Sequence, residues 1–115
     1  MDIRTAVKDK ENYGEIVSWF RSQGTLDMDR MVLLVDTIEA MSEEIFEHYR
    51  ALQDILRNEV KRIQNGYRGI AGANAGLDET GRRQLAYVIE KACRLGVLLP
   101  EKYEDMAREL VKEQQ

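Results

Sequence analysis

The chain has 115 residues, of which 43% are apolar and 33% charged, with a single proline and a net charge of −4. That length holds one domain with a modest core, and the balance excludes collagen-like, low-complexity and strongly disordered classes. The acidic balance argues against a surface given over to nucleic acid, and no apolar run approaches the length of a membrane span.

Residues 1–10 read as a polar N-terminal segment. They lack the apolar stretch of a secretory leader, and Cys93 stands alone, so a reducing cytoplasm is expected. Cys93 falls within a helical pattern beside Ala92 and Leu95, where a thiol behaves as a small buried side chain. The first helix begins at "NYGEIVSWFRSQG". Asn12 and Glu15 have the spacing of a reciprocal cap, Ile16, Val17, Trp19 and Phe20 form one apolar face, and Gly24 stops it.

From Leu26 to Asn65 there is neither glycine nor proline, which predicts one long central helix. Asp27 and Asp29 suit its N-terminal end, Lys61 and Arg62 its C-terminal end. Apolar residues recur at Ile38, Met41, Ile45, Tyr49, Leu52, Leu56, Val60 and Ile63, continuing to Tyr67. Steps of three, four and four are an eleven-residue repeat, close to the period of a straight helix. About forty residues would reach about 60 Å, beyond the roughly 35 Å diameter of a compact chain of this size. Either the helix breaks near Ser42, in "AMSEE", or a second copy covers the stripe; with no glycine or proline to mark a break, self-association is the reading and these eight residues are the expected dimer interface. Acids gather at Asp27, Asp29, Asp36, Glu39, Glu43, Glu44 and Glu47, and bases at Arg57, Lys61, Arg62, Arg68, Arg82 and Arg83. An antiparallel pair would set each acidic half against a basic half.

"NGYRGIAGANAGLDETG" holds five of the eight glycines and reads as a flexible connector over 66–77. A dinucleotide loop would follow a strand, and a triphosphate loop would need Lys and then Ser or Thr after its last glycine; Arg82 follows Gly81 here. Asp78 or Thr80 caps the next helix, with Leu85, Val88, Ile89, Ala92 and Cys93 or Leu95 inward and Gly96 at its end. Pro100 opens a last helix with Tyr103, Met106, Ala107, Leu110 and Val111 on one face, making a C-terminal helical hairpin.

The fold expected is therefore all-α and a single domain over 1–115: a short helix, a long central helix, a glycine-rich connector and a C-terminal hairpin, paired as an antiparallel dimer. Chemistry is sparse. His48, the one histidine, follows Glu44 by one turn; a metal would need two further ligands, so a solvated pair is the expectation. No catalytic residue, metal or cofactor is expected, and no small-molecule substrate or membrane. The function expected is a non-enzymatic interaction module, an adaptor, regulator or assembly subunit that binds itself and another protein. The alternative is a nucleic-acid-backbone contact made by Arg57, Lys61, Arg62, Tyr67, Arg68, Arg82 and Arg83 around the connector.

Overall fold

The computed structural model describes residues 2–66 and 70–98, and every regular element among them is helical. The expected C-terminal helix from Pro100 onward, together with Tyr67 and Arg68, lies outside the described residues.

The N-terminal segment is not an unstructured lead. A single turn, α1 (Ile3–Ala6), buries Ile3, and Val7 follows it inward four residues on; a 3₁₀ turn at Lys10–Asn12 then leads into α2 (Tyr13–Ser22). Asn12 does not cap α2 with its side chain. Its amide donates to the Ala6 carbonyl at 3.1 Å and ties the first turn to the second helix. Tyr13, Ile16, Val17 and Phe20 are buried, and Trp19 meets Phe20 edge-to-face with ring centroids 5.0 Å apart. Gly24, at φ 67°, reverses the chain in the left-handed region open to glycine.

The long central helix is broken. α3 spans Met28–Ala40 and α4 spans Phe46–Gly66, with 41–45 non-helical between them. Met41 is extended at φ −79°, ψ 145° and still buried. The Ser42 N–H, free of a helical partner, donates to the Tyr13 hydroxyl at 2.9 Å, and the Ser42 hydroxyl accepts from the Glu44 N–H at 3.3 Å. Folding α4 back along α3 covers the apolar stripe from within the same chain. Ile38, Leu52, Leu56 and Val60 are fully buried, Met41, Tyr49 and Ile63 nearly so, and Ile45 packs at the edge of the core. The stripe expected to wait for a second copy is therefore the monomer's own core, with a radius of gyration of 14.0 Å against about 13 Å for a compact chain of this length. In this conformation seven of those eight residues are buried, and Ile45 alone is partly exposed.

Asp27 caps α3, its carboxylate accepting from the Arg30 N–H at 2.8 Å. The start of α3 is clamped to the end of α4. Leu26 is buried, yet both its backbone groups are satisfied by α4 side chains: its N–H by Glu59 at 3.3 Å and its carbonyl by Arg62 at 3.2 Å. Glu59 and Arg62 are themselves paired at 2.9 Å. The clamp at one end and the 41–45 turn at the other make α3 and α4 antiparallel neighbours.

The glycine-rich connector is not slack throughout. Ile70–Ala75 form a short helix, α5, and Ala73 is buried. Asp78 then caps α6 (Glu79–Arg94), accepting from the Gly81 N–H at 2.7 Å. Leu85, Val88, Ile89, Ala92 and Cys93 face inward as the spacing requires, and Gly96 closes the helix at φ 73°. Gln84 reaches Asp29, Tyr87 reaches Asp36 and Lys91 reaches Glu39, so α6 runs parallel to α3. Past its end, the Leu95 and Val97 carbonyls accept from Gln53 and Arg57 of α4.

Candidate interaction groove

Most surface charges of the described residues are consumed within the chain. Arg30, Arg57, Arg62, Arg83 and Arg94 each hold a carboxylate three or four residues away on their own helix or its cap. Arg4 crosses from α1 to Asp36 on α3 at 2.9 Å. Asp36 also accepts from the Tyr87 hydroxyl, and this bond, together with burial, pushes the Tyr87 phenol up to about 12. No base of α4 pairs with an acid of α3, although the two helices are antiparallel. Arg57 and Arg62 of α4 are answered within their own helix, while Asp36 and Glu39 of α3 are answered by Arg4 and Lys91 rather than by α4.

Several residues of the expected basic cluster already have partners within the fold. Arg57 and Arg62 spend their guanidinium groups on Asp54 and Glu59 and on two backbone carbonyls, which makes them fasteners of the fold. Arg82 donates to the Leu77 carbonyl at 3.1 Å, Arg83 pairs with Glu79, and Lys61 is exposed. Asp78 occupies the N-terminal amide of α6 that a phosphate would need. Glu44 does not turn toward His48. It pairs with Lys10 at 2.8 Å, which lowers the carboxyl and raises the ammonium from their ordinary ranges. Among the described residues no three groups of metal-binding type gather.

Two arginines stand apart. Arg21 on α2 and Arg50 on α4 have no carboxylate partner among the described residues, and they line the same groove of about 610 Å³. One wall is Gly14, Val17, Ser18 and Arg21, the i, i+3, i+4, i+7 face of α2. The other is Phe46, Glu47, Arg50, Ala51 and Asp54 of α4, with His48 at the α2 side. Gly14 is close to His48: a methyl group on it would lie 3.7 Å from the imidazole, in ordinary van der Waals contact. Phe46 is 60% exposed, the one large apolar side chain among the described residues so placed, with the Arg50 guanidinium 5.8 Å from its ring centroid. Asp54 is neutralised by Arg57 at 2.6 Å, leaving Glu47 as the one open carboxylate against two open guanidiniums.

Of these groove residues only Val17, Glu47 and His48 stood out in the chain, and none of them as part of a groove. Phe46 lies off the repeating stripe, and an unpaired arginine is recognisable only once the partners of the others are known.

A second cavity of about 350 Å³ lies at the opposite end of α3, lined by Met28, Met31, Ile63, Ala73, Leu77 and Leu85. Its charged rim is already engaged, Asp27 with Arg30 and Arg62 with Glu59, which leaves no open charge to orient a ligand. Comparison with known protein families, with characterised proteins and with solved structures finds no match to this chain.

Proposed function

We propose that the protein is a non-enzymatic interaction module, and that the groove between α2 and α4 is where it takes its partner, an acidic peptide segment carrying an apolar anchor residue. The observation that carries this reading is the coincidence of one exposed aromatic with the two uncommitted arginines. A singly exposed apolar residue is ordinary on a surface, so the weight falls on its company: aromatic and arginine side chains are the types that dominate interface energies. Arg21 and Arg50 select carboxylates beside that anchor; the chain's net charge of −4 would repel an acidic partner elsewhere, so attraction is local to the groove. Among the larger lining side chains, Gly14, Ser18 and Ala51 are short and leave room for a backbone to approach.

The test uses isotope-labelled protein titrated with three synthetic peptides followed by amide shifts. The first is helical, with leucine and phenylalanine on one face and glutamate on its flanks; the second replaces glutamate with lysine; the third replaces the apolar face with serine. Shifts clustered on α2 and on Phe46–Asp54, with the first peptide alone, support the reading. Phe46→Ala should then weaken binding about tenfold, on the order of 1.4 kcal/mol. Equal binding of the lysine peptide, or shifts confined to other faces, would reject it. A single-stranded oligonucleotide that shifts Lys61, Arg82 and Arg83 instead would favour nucleic acid.

A further inference from the structure

We infer that residues 41–45 are a hinge through which the chain exchanges halves with a second copy, by straightening α3 and α4 into one helix. The inference rests on the fold and is independent of the groove reading. Met41, Ser42, Glu43, Glu44 and Ile45 contain no glycine or proline, and methionine and glutamate are among the stronger helix formers. In the bent form Met41 is buried and Ile45 packs against the core. Yet Ile38, Met41, Ile45 and Tyr49 keep the steps of three, four and four straight through the segment. The segment is compatible with both conformations.

Few polar contacts hold the bent segment, and one of them is its own turn, the Ile45 N–H donating to the Ser42 carbonyl at 3.3 Å. The Tyr13 hydroxyl accepts the Ser42 N–H at 2.9 Å, and Lys10 pairs with Glu44 at 2.8 Å with both groups well exposed. Within the segment, the Ser42 hydroxyl also accepts the Glu44 N–H at 3.3 Å. Both outside contacts come from residues preceding α3, so straightening would release the hinge from them together.

Topology then dictates the product. Because α4 packs antiparallel to α3, the α4–α6 half of one chain can occupy the same place on the α1–α3 half of another, with the core rebuilt residue for residue. The two straightened helices must lie antiparallel, each running from Met28 to Gly66, a length of about 58 Å. That sets the acid-rich half of one beside the base-rich half of the other. The longest dimension of the bent monomer is 40 Å.

The experiment is refolding from denaturant at high protein concentration, followed by dilution, light scattering and small-angle X-ray scattering. A swapped dimer can dissociate only by unfolding, so it persists after dilution as a particle longer than the bent monomer. Tyr13→Phe with Ser42→Ala removes the hinge bonds and should raise the dimer's share severalfold. Glu43→Pro, which blocks a continuous helix, should abolish it while leaving far-ultraviolet dichroism close to that of the wild type. If that proline variant fails to fold, Glu43→Gly serves instead and should reduce the dimer. Persistence of a single-chain mass in the wild type and in the Tyr13→Phe, Ser42→Ala variant would overturn the inference. So would a dimer that dissociates promptly on dilution, or one that Glu43→Pro leaves intact.

Discussion

Tyr87 shows how one side chain reports on three elements. Its hydroxyl donates to Asp36 of α3, and Asp36 is held from the other side by Arg4 of α1. The bond to a carboxylate, burial and the nearby negative charges of Asp36 and Glu39 all disfavour the phenolate, so its pKa rises from the ordinary 10.0 to about 12. A folded-state value above the unfolded one stabilises the fold fully below pH 10 and loses that contribution as pH climbs to about 12. Alkaline titration followed by phenolate absorbance should show a late phase from Tyr87, in addition to Tyr49, whose phenol is also raised by burial and Glu43. Asp36→Asn should return Tyr87 toward the range of the others; an unchanged late phase in that variant would show that another residue causes it.

At the scale of elements, chain reading and structure agree where the cause is local. Asp27 and Asp78 cap the helices that follow them, Gly24 and Gly96 reverse the chain with positive φ, and Leu85, Val88, Ile89 and Ala92 face the core. They part where the cause is distant. A stripe with steps of three and four is the same whether a helix runs on or folds back, because burial can come from either source. The break at 41–45 is stabilised by Tyr13, 29 residues before Ser42, and no local rule reports such a bond. The α1 turn was legible in principle, from Ile3 and Val7 four apart, but two apolar residues in a charged stretch are a weak signal. α5 has the opposite fault: glycine at 72 argues against a helix that Ala73 nonetheless buries. The Glu59–Arg62 clamp on Leu26 is the element-scale device most open to test. Glu59→Ala leaves the N–H of a buried residue unsatisfied and should cost about 1–3 kcal/mol in urea unfolding. Glu43→Ala, on an exposed position, should stay within about 0.5 kcal/mol. Equal effects would mean that the clamp adds nothing.

For the whole molecule, the decisive feature is what remains after the fold has used its charges. The bases of α4 and α6 fasten helices and backbone carbonyls, the stripe fills the core, and the arginines left over share one groove with an exposed phenylalanine. The groove's residues are spread over two helices about thirty positions apart in the chain, which is why no motif announces them. Charge exchange tests this most directly. Calorimetric titration of the glutamate-flanked peptide into wild type and into Arg21→Glu with Arg50→Glu should show binding weakened at least about tenfold by the double reversal. The lysine-flanked peptide should then bind the reversed protein better than the wild type. Should both peptides bind both proteins alike, or neither bind either, the groove is not the docking surface.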